Sequence, residues 1–193
     1  MLASSGFVIV AGSDEAGRGA LAGPIVAAAV VLRRRNNIDG LKDSKKLSPS
    51  AREILYGHIV KKSKAWATGI VTASEIDERG IQHANLKAME EAVKRLSIIP
   101  DCVIADWYEN PGYYLPWLGI ARGEDSHPSI AAASIVAKVT RDRIMRELAE
   151  EYPRYGFAAH KGYGTSSHIA AIKEFGLSDE HRMSFEPCRS LVR

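Results

Sequence analysis

The stretch SDEAGRGALAGPIVAAAVVL, Ser13 to Leu32, decides how the rest of the chain is read. It follows the apolar residues FVIVAG, so Phe7 to Ser13 is predicted to be a short buried strand that runs out as the acids begin. Ile25 to Leu32, apolar throughout and rich in β-branched residues, is predicted to be a second strand. Between them, GRGALAG approximates the glycine fingerprint of a dinucleotide site, but that motif needs a helix directly after the glycines. Here Pro24 and a strand follow, with no room for a helix, so the dinucleotide reading fails on context. Strand alternation would send Asp14 and Glu15 to opposite faces. Both can serve one site only if the backbone twists, which Gly17 and Gly19 would allow. The bland alternative for a bare Asp-Glu pair is a solvated turn or helix cap.

Working outward, Arg33 to Arg35 and the polar turn Asn36–Gly40 close the second strand. Ser48 followed by Pro49 starts a helix whose inner face is expected to be Ile54, Leu55, His58 and Ile59. Thr68 to Ala73 reads as a strand. From Asn85, the spacing of Leu86, Met89, Val93 and Leu96 is helical until Pro100. Cys102 to Ala105 is another short strand, running straight into Asp106. Ser129 to Tyr152 is the longest helix, and its Ala- and Ser-rich start would let it lie close to a sheet. Ser166 to Phe175 is the last helix, with Gly176 at its C-terminal cap. Hairpin-like strands followed by alternating helices and strands predict an α/β fold with a mixed sheet covered by helices. No repeat, low-complexity segment or linker divides residues 1–193, which are expected to form one domain with a small appended element over 177–193.

Composition narrows the function classes. The chain has 193 residues, 46% hydrophobic and 25% charged, which excludes a disordered, collagenous or coiled-coil protein. Cys102 and Cys188 form no CxxC pair, which excludes a disulfide scaffold and a thiolate zinc site and suits a reducing cytoplasm. The longest apolar run, Ala20 to Leu32, is too short to span a bilayer, and the first residues lack a basic export signal, so no membrane partner is expected. Net charge is +3, unevenly spread: residues 1–97 hold 15 Lys/Arg against 10 Asp/Glu, residues 98–193 hold 11 against 13. That asymmetry suits a polyanion held against a carboxylate site, although ordinary solvated surface would look the same.

The carboxylates are the chemistry. Asp14 and Glu15 end one buried strand, Asp106 ends another, and Glu124–Asp125 precede the Ala-rich helix. Buried acids at element ends are unfavourable unless a cation neutralises them. Three such positions suggest one oxygen-ligand site for Mg²⁺ or Mn²⁺, hard cations that keep waters for a phosphate to displace. Two such ions, about 4 Å apart, would activate water and stabilise the leaving oxygen in a phosphodiester cleavage. Arg18, between two glycines, offers a planar fork to phosphate. The histidines show no metal spacing. His160, His168 and His181 read as structural or surface groups, with His160 near any substrate path. Asp142, between Arg141 and Arg143, reads as a surface ion-pair partner. Trp107, Tyr108, Tyr113, Tyr114 and Trp117 could stack on bases or pack a loop onto the core.

Taken in order, DEAGRG with LAGP (Asp14 to Pro24), DSKKL (Asp43 to Leu47), SIAAASIVAKVTRDR (Ser129 to Arg143), YGFAAHKGYGT (Tyr155 to Thr165) and HRMSFEP (His181 to Pro187) resemble bacterial ribonuclease HII, the type 2 ribonuclease H. The resemblance covers nearly the whole chain. It implies a ribonuclease H-like fold with a small C-terminal helical extension. It also implies metal-dependent endonucleolytic cleavage of RNA in RNA–DNA hybrids, and nicking 5′ of single ribonucleotides in duplex DNA, with 5′-phosphate and 3′-hydroxyl ends.

Carried over by position, Asp14, Glu15 and Asp106 match three of the family's four metal-binding acids. The fourth stands ten residues before the position of Ser134, which reaches Glu124, where the family has Asp; Asp125 is the alternative. Gly17, Arg18 and Gly19 match the triplet that reads the ribose 2′-hydroxyl, the group that separates RNA from DNA. Tyr163 matches a tyrosine that stacks on the deoxyribose 3′ of the ribonucleotide. Lys45 and Lys46 match phosphate contacts that position without reading sequence, and Ser44 and Ser134 could also touch substrate. The segment WYENPGYYLPW after Asp106 departs from the family's pattern at the site rim. Ribonuclease HIII fits less well, because its chains carry an extra N-terminal domain ahead of the paired acids. A hybrid-binding protein of the same fold with weak catalysis is the alternative that the atypical Glu124 keeps open. Monomer is the default expectation.

Overall fold

A computed structural model of the chain describes residues 6–33, 38–41, 47–106 and 113–191. The elements run β1 (Val10–Ala16), β2 (Ile25–Val31), α1 (Pro49–Lys62), β3 (Ala65–Val71), α2 (Ala73–Arg79), α3 (Ile81–Lys94), β4 (Cys102–Asp106), β5 (Trp117–Ile120), α4 (Gly123–Ser126), α5 (Pro128–Glu151), a 3₁₀ turn (Pro153–Tyr155), α6 (Phe157–His160), α7 (Ser166–Phe175) and α8 (Cys188–Leu191). The five strands form one mixed sheet in the order β3-β2-β1-β4-β5. β1, β2 and β3 pair antiparallel, whereas β4 joins β1, and β5 joins β4, in parallel.

Every residue of β2 is buried, because helices cover both faces of the sheet. Ile25, Ala27, Ala29 and Val31 pack with α3 residues such as Ala88 and Met89. Ala28 and Val30 pack on the other side with Leu55 and Ile59 of α1 and with Ala132, Ile135 and Val136 of α5. The small residues at the start of α5 have the consequence their size suggests. A Cβ at Gly12 of β1 would lie 2.2 Å from the backbone carbon of Ser129, so helix and strand touch backbone to backbone.

Several boundaries and faces differ from expectation. β1 starts three residues later than Phe7 and continues through both acids, because Asp14 and Glu15 still pair with Ala28 and Ala27 of β2. β3 starts at Ala65 rather than Thr68, and α3 at Ile81 rather than Asn85. α1 is capped by the Ser48 hydroxyl, which accepts the Ala51 N–H, but its inner face is Leu55 and Ile59. Ile54 is 64% exposed and His58 also faces solvent, so the apolar spacing that included them was too wide. Tyr113 and Trp117 are buried in the core, edge to face at 6.2 Å, while Tyr114 is exposed. Trp107 and Tyr108 lie outside the described residues. Asp142 does pair with Lys138, at 2.6 Å, but it is buried rather than on the surface. No helix among the described residues is long and apolar enough to cross a membrane.

Candidate active site

Parallel pairing of β1 and β4 sets the geometry. Their register ends at Ser13 opposite Ala105, so Asp14 and Asp106 come next, side by side at the same edge of the sheet. Open α/β sheets place sites at the carboxyl ends of such strands. Strand alternation is kept at Asp14 and Glu15. On the β4 side the pairing stops at Ser13, whereas on the β2 side it runs on to Ala16, so both acids stand where β1 outruns β4. α4 follows β5 at the same edge, and the Gly123 N–H donates to Asp106 Oδ1 at 2.7 Å. Glu124 then meets α5: the Ser134 hydroxyl donates to Glu124 Oε2 at 3.4 Å and stands close enough to Asp14 to favour its charged form. Asp125 turns away, to the exposed Arg122 at 3.1 Å.

The electrostatics follow from burial. Asp14 is 6% exposed, and desolvation holds its carboxyl well above the usual carboxylate range, with repulsion from Glu15 and Glu124 adding to it. The Ser134 hydroxyl and the Glu15 N–H oppose that rise without cancelling it. Burial also raises Glu15, as does Asp106, while Arg18 opposes. Among the described residues, no three carboxylate, imidazole or thiol groups converge on one ion-sized point.

A cleft of about 320 Å³ opens beside the acids, lined by Glu15, Ser134 and Tyr163 and by the loop residues Gly17, Arg18 and Gly19. Arg52 of α1 and Lys138 of α5 complete a cationic rim with Arg18. The Tyr163 ring lies 5.8 Å from Lys138 Nζ and 5.4 Å from the Arg141 guanidinium. Ser44, Lys45 and Lys46 lie outside the described residues.

Two buried arginines hold the loop that carries Arg18. Arg141 of α5 donates to the carbonyls of Pro24, Ala22 and Lys161 at 2.9, 3.0 and 2.9 Å. Arg182 donates to the Gly23 carbonyl through Nε and Nη2, and to Arg18 O through Nη1 at 2.9 Å. The segment carrying Arg182 pairs with the loop through its backbone: Arg182 N–H donates to Leu21 O, and Gly23 N–H to Glu180 O. Glu180 and Arg182 are therefore hydrogen-bonded directly to the loop. Sequence reasoning missed Arg52, Lys138, Arg141 and Arg182. One signal was available: Ser134, Lys138 and Arg141 follow helical spacing, so a polar face led from Ser134 towards the loop.

The family model for "Ribonuclease HII" matches residues 11–188. The chain belongs to the ribonuclease HII family. Its enzyme class is thereby that of a ribonuclease H, an endonuclease that hydrolyses phosphodiesters. A ribonuclease HII of Acidothermus cellulolyticus is 49% identical over 97% of this chain. A ribonuclease HII of Coxiella burnetii is 50% identical over 95% of this chain. The chain spans 62% of the length of the first and 91% of the second. The crystal structure of ribonuclease H2 from Pyrococcus horikoshii superposes with a TM-score of 0.82 at 29% identity, covering 95% of this chain and 97% of that one. Strand order and covering helices thus agree with the ribonuclease H-like fold of the ribonuclease HII family.

Proposed function

We propose that this ribonuclease HII family member cleaves the RNA strand of RNA–DNA hybrids and nicks duplex DNA on the 5′ side of a single embedded ribonucleotide, leaving 5′-phosphate and 3′-hydroxyl ends. The observation that carries this reading is that Asp14, Glu15, Asp106 and Glu124, from three separate segments, lie close enough at one end of the sheet to raise one another's carboxyls in pairs, with Glu15 lining a cleft rimmed by Arg18, Arg52 and Lys138.

The donor set fits hard divalent cations: it is all oxygen, and burial and mutual repulsion keep Asp14 and Glu15 short of positive charge. Asp14, Glu15, Asp106 and Glu124 would hold two Mg²⁺ or Mn²⁺ ions. Such ions, when bound, supply charge stabilisation and an activated water for phosphodiester hydrolysis. The protein's own residues do the rest. Ser134 donates to Glu124 and favours the charged form of Asp14. Gly17 and Gly19 line the cleft with no side chain on either side of Arg18, so backbone groups can meet the ribose 2′-hydroxyl. Tyr163 offers its ring to a sugar. Arg52 and Lys138 hold phosphates without reading bases, a role that Ser44, Lys45 and Lys46 share in this reading. Residues 1–193 act as one domain, as a monomer in the cytoplasm, with 177–193 as its C-terminal extension.

The test is end-labelled duplex DNA carrying one ribonucleotide, incubated with Mg²⁺ and separately with Mn²⁺, beside an all-DNA control. A single nick 5′ of the ribonucleotide is the expected result. The second reading, a hybrid- and junction-binding protein with weak catalysis, is favoured by Glu124, one methylene longer than the family's Asp. Tight binding without cleavage in either metal would select it, and Glu124→Asp would then be expected to raise turnover.

A further inference from the structure

The chemistry proposed for the cleft uses none of the histidines, yet three of them pack together behind Tyr163. His181 Nδ1 accepts the Ser178 backbone N–H at 2.9 Å, with the Ser178 hydroxyl 2.8 Å from the same nitrogen. A ring nitrogen that accepts a backbone N–H carries no proton, so the proton of neutral His181 sits on Nε2. That N–H faces His168 Nε2, 3.1 Å away, which must accept it. The His168 proton is then on Nδ1, which donates to the Tyr163 carbonyl at 3.0 Å. A carbonyl can only accept, so both ends of the chain demand the same order of protons. His160 stacks on His168 with ring centroids 4.3 Å apart. It accepts the Gly162 N–H at 3.2 Å and donates to the Tyr155 carbonyl at 2.7 Å. The backbone on either side of the Gly162–Tyr163 bond is thus held by imidazoles, and Gly162 O in turn accepts Leu21 N–H from the Arg18 loop at 2.8 Å.

We propose that His168 and His181 are positioning residues for substrate recognition: their ordered hydrogen-bond chain, from Ser178 to the Tyr163 carbonyl, fixes how the Tyr163 ring enters the cleft and so how tightly a duplex is held. Burial supports the arrangement, since it lowers both groups, His168 to about 4, and keeps them neutral. Neither histidine touches a reacting group; each acts through Tyr163. The inference rests on the cleft being the nucleic-acid site.

Two substitutions separate the roles. In His168→Asn the amide reaches the place of Nδ1 and can still donate to Tyr163 O. In His168→Gln it reaches the place of Nε2, keeping His181 as a partner but losing Tyr163. On duplex carrying one ribonucleotide, His168→Gln is expected to raise KM about five- to tenfold, the scale of one lost hydrogen bond, with kcat within about twofold. His168→Asn is expected to restore KM, and in a Tyr163→Ala background His168→Gln is expected to add nothing. A KM effect of full size in that background, or loss of kcat and thermal stability with KM unchanged, would overturn the proposal. Should His168→Gln not fold, His181→Asn breaks the same chain while keeping an acceptor for Ser178. If the unaltered protein neither cleaves nor binds hybrid, the reading of the cleft falls by itself. Amide hydrogen exchange at residues 162–165 then decides: faster exchange in His168→Gln alone supports positioning, and unchanged exchange refutes it.

Discussion

Gly17 and Gly19 flank Arg18 in one loop, but the fold makes opposite demands on them. Gly17 sits at φ +92°, and a Cβ there would lie 1.9 Å from Arg141 Nε. Gly17→Ala is therefore expected to cost about 3 kcal/mol, from a strained φ plus displacement of a buried arginine, visible as a lowered denaturation midpoint. A Cβ at Gly19 meets no atom within 4 Å and its φ is ordinary. Gly19→Ala should unfold at the parent temperature yet cleave hybrid more slowly, because its methyl projects where a substrate backbone would approach. Asp14 inverts that pattern. Its buried carboxylate is held among like charges, so Asp14→Asn is expected to raise thermal stability in a chelating buffer. The same change should abolish cleavage with duplex binding largely kept. Lost binding, measured by fluorescence anisotropy, would contradict the assigned role.

At the scale of elements, α5 and the 178–185 segment together hold the loop between β1 and β2. α5 contributes Ser134 to the acids, Lys138 to the rim and Arg141 to the loop carbonyls, all on one helical face. Arg182 satisfies the carbonyls of Arg18 and Gly23 from the other side. Replacing Arg182 by Met removes charge-assisted bonds and leaves those carbonyls buried without donors. A loss of about 3 kcal/mol is expected, which for a chain of this length lowers the midpoint by roughly 10 °C. Differential scanning calorimetry checks it, and a shift under about 2 °C would mean that the segment is ornamental.

Across the whole molecule, burial of neutral imidazoles couples stability to acid. His168 titrates near 6.5 when unfolded and about 4 when folded, since burial among Phe157, His160 and His181 disfavours its cation. The unfolded chain therefore takes up the proton first. The contribution of His168 is complete above pH about 6.5 and is lost as pH falls towards 4. Chemical denaturation between those limits should show stability falling with pH, and a shallower slope in His168→Asn. Charge distribution governs binding in the same way. Arg18, Arg52 and Lys138 gather one cationic rim from three elements, so affinity for duplex should fall steeply with salt, and Lys138→Ala should reduce the log–log slope by about 1.

Much of this was legible from residues alone, wherever the cause was local. Gly176 caps the end of α7, and Ser48–Pro49 start α1, because capping acts within one turn. The Asp-Glu pair, the arginine between glycines and the Ala-rich helix start pointed by type and spacing to acids beside an arginine and to a close-packed helix. Tertiary structure decided what depends on distant partners. β1 runs on through Asp14 and Glu15 because β2 pairs with them, not because the acids favour a strand. Glu124 faces Ser134 and Asp125 faces solvent because α4 begins where it does, one residue after a left-handed Arg122. Arg141 and Arg182 look like surface cations in a string of letters. They are buried because the carbonyls that satisfy them come from up to 164 residues away, and only folding brings such acceptors together.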